Sequence, residues 1–232
     1  MIDLYALTSP NIQKVFIALE ELALPYNTIL TDTWKGEHFT PEFSKLNPNQ
    51  KIPVIVDHDG PGGKPHTVFE SGAILVYLAD KTQKLIPADP AKRSDVMQWL
   101  MLQMAAVGPY FGQVVHFSRF APAGNDYALS RYKTEVNRLY DVYDRQLGAH
   151  PFVAGDDYSI ADIAALPWLR NAGLVDIDID KRPNVKRWVA TLEARPAVKT
   201  TLAKIATITS ARDTASDDMK DRVFGRGKYA RA

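Results

Sequence analysis

The sequence predicts an α+β fold: a small N-terminal α/β domain followed by an all-helical C-terminal domain. Three observations predict it. Within residues 2–82, short apolar runs of period two alternate with runs of helical period. Beyond the break at Pro87-Ala88-Asp89-Pro90, only the helical period remains. The composition, 46% hydrophobic and 24% charged over 232 residues, is that of an ordinary globular chain.

The elements follow in order. Ile2, Leu4 and Ala6 alternate with Asp3 and Tyr5, which reads as a short strand. Ser9-Pro10-Asn11 punctuates, and Ile12, Val15, Phe16, Leu19 and Leu22 recur at helical spacing up to Leu24-Pro25. Tyr26 to Leu30 has strand character, and a polar loop from Asp32 to Thr40 follows. Pro41 to Leu46 has room for one irregular helical turn. Pro53-Val54-Ile55-Val56-Asp57 reads as a strand, Asp59-Gly60-Pro61-Gly62-Gly63 as a turn and Thr67-Val68-Phe69 as the hairpin partner. Ser71 opens a helix carrying Ile74, Leu75 and Leu78 and ending near Lys81. This order builds a small mixed sheet with helices on its faces.

In the second half, one stripe runs through Val96, Trp99, Leu100, Met104 and Val107. Another runs through Tyr132, Val136, Leu139, Tyr140, Tyr143 and Leu147, and a third through Val185, Trp188, Val189 and Leu192. Ser159-Ile160-Ala161-Asp162 reads as a capping box, which makes Asp162 structural. The expected organisation is an α/β domain over 1–82, a linker over 83–90, a helical domain over 91–206 and a tail over 207–232. The tail is polar and charge-mixed from Ser210 onward and is expected to be loosely ordered.

Composition excludes several classes of function. Lys plus Arg number 28 and Asp plus Glu 27, a net charge of +1, without the basic footprint that nucleic acid requires. No apolar stretch approaches ~20 residues, so no membrane helix is expected. Asp3 stands where a secretory signal carries positive charge, so the cytoplasm is the expected location. His38, His58, His66, His116 and His150 form no metal-spaced cluster; they read as loop or surface residues, and no metal is expected. Cysteine is absent, so any thiol chemistry must use a thiol brought by a ligand.

Three short segments carry candidate chemistry. In Thr8-Ser9-Pro10-Asn11 a hydroxyl and a carboxamide stand at a helix start, where donors and the macrodipole favour an anion. Plain helix capping is the structural alternative. In Asn49-Gln50-Lys51-Ile52-Pro53-Val54 the X-Pro bond is a candidate for cis geometry, which turns the Ile52 backbone toward an extended peptide ligand. A trans proline at a strand start is the alternative. In Phe69-Glu70-Ser71-Gly72, Ser71 at a helix N-terminus suits a carboxylate and Glu70 an ammonium, together an α-amino acid head group.

The order S-P-N, N-x-K-I-P-V, F-E-S-x-A-I-L-x-Y-L and Y-S-I-A-D-I resembles the glutathione transferase family from Met1 to about Ala206. MIDLYxxxxPN, PEFxxxxPNxKIPxIVDHD and FESGAILxYLAxKT are most similar to its bacterial Nu class. The resemblance implies a thioredoxin-like N-terminal domain, a helical C-terminal domain, a homodimer, and glutathione as co-substrate. It implies that Glu70 and Ser71 hold the γ-glutamyl head, and that Ile52, before cis Pro53, pairs with the cysteinyl unit. Lys51 and His38 then face the glycyl carboxylate, His38 standing where the family often has glutamine. Ser9, where threonine is common, and Asn11 are the implied thiolate donors. Thr8 is a neighbouring fallback, and Tyr5 lies too early in the strand. Arg131 matches an arginine that reaches the ligand region, near the implied dimer interface.

A free thiol, with a pKa near ~8.5, is only a few per cent thiolate at neutral pH, so rate requires stabilising the anion. The resemblance to the Nu class implies glutathione-dependent disulfide reduction with weak conjugation, two glutathiones replacing the thiol pair that this chain lacks. One rival is conjugation or thioether cleavage of aromatic electrophiles, in a pocket drawn from Trp99, Tyr110, Phe111, Phe117, Phe120 and Trp168. Core packing is the alternative role for each. A rival of another class is a non-catalytic, glutathione-binding regulator. The expected partners are thus glutathione and a small disulfide or electrophile, with no nucleic acid and no membrane.

Overall fold

The computed structural model describes residues 1–230. Its strands β1 (Ile2–Ala6), β2 (Tyr26–Leu30), β3 (Val54–Asp57) and β4 (His66–Phe69) form one mixed sheet in the order β2-β1-β3-β4. β1 runs parallel to β2 and antiparallel to β3, and β4 closes a hairpin on β3. A parallel pair needs a crossover, and α1 (Pro10–Glu21) supplies it. Leu4 registers with Thr28 on one side and Ile55 on the other, and the Leu4 and Ile55 side chains are fully buried. β3 starts one residue after Pro53, because proline has no N–H to give a ladder.

The loop after β2 holds two 3-10 turns, Thr33–Lys35 and Glu37–Phe39, joined at Gly36 with φ 83°. α2 (Pro41–Leu46) is a regular short helix whose Thr40 hydroxyl accepts from the Phe43 N–H at 3.3 Å. α3 (Ser71–Thr82) follows β4. The helical half comprises α4 (Pro90–Leu102), a π segment Gln103–Val107, α5 (Gly108–Arg119), α6 (Asp126–Ala149), α7 (Ile160–Leu169), α8 (Pro183–Glu193) and α9 (Pro196–Ala206). The capping box is present, and its Asp162 carboxylate is fully buried. It accepts from the N–H groups of Ser159 and Val153, each at 3.0 Å, and from the Trp188 indole at 2.9 Å. Burial pushes this carboxyl up to about 6 against those donors.

The chain divides into two compact units, Met1–Ile74 with the segment from Thr200 onward, and Leu75–Lys199. The division falls inside α3 and places the tail with the first unit.

The tail corrects an expectation. In place of loose order it forms a 3-10 turn, Ala211–Thr214, then α10 (Asp217–Phe224) and a second turn, Gly227–Tyr229. The reason is local. Ser216 caps α10 by accepting from the Met219 N–H, Asp217 and Asp218 fill its first turn, and Gly225 ends it at φ 61°. A reading by composition passed over signals at both ends of the helix. The last two residues of the 207–232 segment lie outside the described residues. Among those described, no helix is long and apolar enough to cross a membrane.

Candidate functional site

The start of α1 forms the first part of the site. Ser9 takes the N-cap position, and its carbonyl accepts from the N–H groups of Ile12 and Gln13 at 3.0 and 3.1 Å. Its hydroxyl makes no capping bond and is exposed. Plain capping is therefore not what the Ser9 side chain does. A hydroxyl left unspent at the positive end of a helix suits an anion. Asn11 follows at the second helical position, half-buried, with Thr8 half-buried just before the cap. Tyr5 lies within β1 opposite Val54 and packs edge-on against Phe43, ring centroids 5.9 Å apart.

The segment 47–53 forms the second part. Asn47, 1% exposed, accepts from the Asn49 N–H at 2.9 Å and donates to the Lys51 carbonyl at 2.7 Å. Gln50 is held at φ 53°, its amide donating to the Ser44 hydroxyl at 2.9 Å. The Ile52–Pro53 bond is cis. Among the described residues no backbone hydrogen bond uses the Ile52 N–H or C=O, so both are available to an extended ligand.

The third part is the step from β4 into α3. Glu70 has φ 69°, a left-handed conformation that costs a residue with a Cβ about 1–2 kcal/mol and tends to persist where function requires it. The Asn49 amide donates to the Glu70 carboxylate at 3.4 Å, linking the second and third segments. Ser71, buried at 3% exposure, accepts from the Lys14 ammonium at 3.3 Å. Lys14 is fully buried, and burial pushes its pKa down to about 7, with the Glu70 carboxylate opposing the shift.

His38 refines a second expectation. It lies in the loop, as expected, but not at the surface: it is 1% exposed within the Glu37–Phe39 turn, its ring 3.9 Å from that of Phe39. Burial foremost, then the Lys51 and Arg222 cations, push its pKa down to about 4. At neutral pH it is an uncharged imidazole, with a buried Nδ1 lacking a partner. Any contact it makes to a carboxylate is a hydrogen bond donated by a neutral ring, not an ion pair. Lys51 keeps an exposed surface, yet the protein around it still lowers its pKa by desolvation.

Lys51, Ile52, Pro53, Glu70 and Ser71 thus share one region of the first unit, joined by the Asn49–Glu70 bond. Arg131 belongs to the second unit, on α6, exposed and paired with Glu135 at 2.5 Å. The second unit also holds the aromatic candidates. Phe111 is core, stacked on Tyr140 at 5.4 Å. Trp99, Tyr110, Phe117, Phe120 and Trp168 are half-buried, with Tyr110 and Phe117 both against Tyr132. Among the described residues no group of three or more acidic or histidine side chains is placed to hold a metal ion.

Sequence reasoning missed Lys14, Asn47 and Arg222. A signal existed for Lys14: it stands in a helix turn with Ile17 and Ala18, all on a face that is buried. A lysine amid apolar positions of a predicted helix is worth asking about.

The family model described as the glutathione S-transferase N-terminal domain matches residues 8–81, and that for the C-terminal domain matches 104–196. The disulfide-bond oxidoreductase YfcG of Escherichia coli is 44% identical over 205 residues, 88% of this chain and 95% of that protein. A glutathione transferase family member from Pseudomonas fluorescens, solved with two glutathione bound, superposes with a TM-score of 0.82 at 46% identity, covering 87% of this chain and 92% of that one. A glutathione transferase from Pseudomonas putida, solved with one glutathione disulfide bound per subunit, gives 0.82 at 43% identity, covering 87% and 90%.

Proposed function

Because the chain belongs to the glutathione S-transferase family, we propose that it binds glutathione and uses the thiolate to reduce small disulfides, with weak conjugation beside it. The absence of cysteine carries this reading. A disulfide exchange on this fold has no protein thiol to cycle, so both electrons must come from ligand thiols. The relatives solved with two glutathiones or one glutathione disulfide hold the reactants and the product of that exchange.

Residues 1–82 are the glutathione-binding domain in this reading. Glu70 and Ser71 take the γ-glutamyl ammonium and carboxylate, and the Ile52 N–H and C=O pair with the cysteinyl unit. Lys51 faces the glycyl carboxylate, with His38 as a neutral neighbour. Ser9 and Asn11 donate to the sulfur and favour its deprotonation at the start of α1. The thiolate attacks one sulfur of the substrate disulfide, forming a mixed disulfide and expelling a thiolate that takes up a proton. A second glutathione thiolate attacks the glutathione sulfur of that mixed disulfide. The second substrate thiol leaves, and glutathione disulfide is the oxidised product. The family also motivates a cytoplasmic homodimer in which Arg131 serves a ligand site; sedimentation tests the dimer.

Turnover on bis(2-hydroxyethyl) disulfide, followed as glutathione disulfide formed, tests the activity against adduct formation with a chlorodinitrobenzene. The expected result is one glutathione disulfide per substrate disulfide and slower conjugation. Faster conjugation would replace this reading with the transferase one. Retention on immobilised glutathione with no turnover of either substrate would replace it with the regulatory one.

A further inference from the structure

Both family models end by residue 196, before α10 begins. That helix packs on the Thr33–Lys35 turn, with Trp34 edge-on to Phe224 at 5.9 Å. The packing lays Arg222 over the Gly36 backbone. A Cβ on Gly36 would meet the guanidinium carbon at 2.6 Å, which the flexible end of Arg222 can shift to relieve, so glycine is needed here for its φ of 83°. The same guanidinium lies 5.6 Å from the centre of the Phe39 ring.

A cavity of about 680 Å³ opens between these parts of the first unit. Phe39, Asn49 and Lys51 line one side, and Arg222, Phe224 and Tyr229 the other. Among the described residues its lining has two cations and no carboxylate. The acids of α10 are engaged elsewhere: Asp217 with Lys220 at 3.2 Å, Asp218 with Lys228 at 2.5 Å, and Asp221 with Arg226. Lys51 adjoins Ile52, whose backbone is available to an extended ligand, and also lines this cavity, so the cavity lies one residue from a backbone that can hold a peptide. Two cations beside such a backbone select an anion there, and a planar guanidinium suits a carboxylate in particular.

We propose that Arg222, carried in by the C-terminal helix, binds the glycyl carboxylate of glutathione together with Lys51, and so selects thiols that end in a carboxylate. The proposal rests on the glutathione reading above and adds to it an element outside the matched family segments. Both cations also act on the buried His38 ring, as expected if they stand near one another.

The test is calorimetric binding of glutathione and of its glycyl ethyl ester, which lacks that charge, to the full chain. Wild type is expected to prefer glutathione by roughly tenfold or more, as a charge-assisted pair gives. Arg222→Met keeps an apolar contact with Phe39 and should lose most of that preference, through weaker glutathione binding at unchanged ester affinity. Arg222→Lys should restore part of it. Arg222 is exposed, so the preference should also shrink in high salt. An Arg222→Met protein with the wild-type preference, or one that weakens both ligands equally, would overturn the proposal while leaving the glutathione reading intact. Failure of wild type to bind either ligand would overturn both.

Discussion

The Lys14 ammonium donates to the Ser71 hydroxyl at 3.3 Å from a position with no solvent access. In the function proposed above, one helix would serve two ends of the ligand: its start would offer Ser9 and Asn11 to the sulfur, and its next turn sets Lys14 against Ser71. Burying an ammonium is costly, and such a group is typically kept for what it does rather than for stability.

Lys14→Met should weaken glutathione binding several-fold while leaving the fold as stable or more so near neutral pH. The pH dependence has a definite sign. The folded pKa, about 7, lies below the unfolded value near ~10.4, so the unfolded chain binds more protons between those limits. This group therefore makes stability rise with pH from about 7 to about 10. Urea unfolding across that range should show the rise in wild type and lose that share of it in Lys14→Met. Parallel curves for the two proteins would contradict the burial argument.

Ser9→Ala and Asn11→Ala should each raise the pKa of bound glutathione and lower turnover near neutral pH by roughly tenfold or more, as loss of a hydrogen bond to a charged group does. Activity should recover at high pH, with affinity little changed, and the double variant should lose less than the sum. Thiolate absorbance titration reads this directly. An unshifted thiol in both single variants would move attention to Thr8 or Tyr5.

Glu70→Ala and Ser71→Ala should raise KM for glutathione more than they lower kcat, because in the proposed reading they hold a part of the ligand that does not change in the reaction. Glu70→Gly should weaken binding as Glu70→Ala does, yet be more stable than it by about 1 kcal/mol, since glycine accepts φ 69° without a Cβ clash. Thermal melts and saturation kinetics on the three variants separate binding from strain.

Asp162→Asn should destabilise by roughly 3 kcal/mol, because one amide cannot accept from all the donors now converging on the buried carboxylate. Glutathione affinity of the protein that remains folded should not change. A large loss of affinity at full folding would show that the capping box does more than hold α7.

Sequence alone determined the parts that depend on near neighbours. Period-two and helical runs placed the four strands and helices α1, α3, α4, α6, α7 and α8, Ser159 and Asp162 announced their cap, and the missing cysteines assigned the thiol to a ligand. The order of Ser9-Pro10-Asn11, Lys51-Ile52-Pro53 and Glu70-Ser71 made the candidate site legible as a pattern. Tertiary structure decided what depends on distant atoms. Lys14 meets Ser71 across 57 residues, His38 loses its charge to the atoms packed around it, and a tail that looked featureless returns Arg222 to Gly36 and Phe39. Periodicity reports which face of an element is apolar, whereas desolvation and the meeting of charges are set by whatever the folded chain brings alongside.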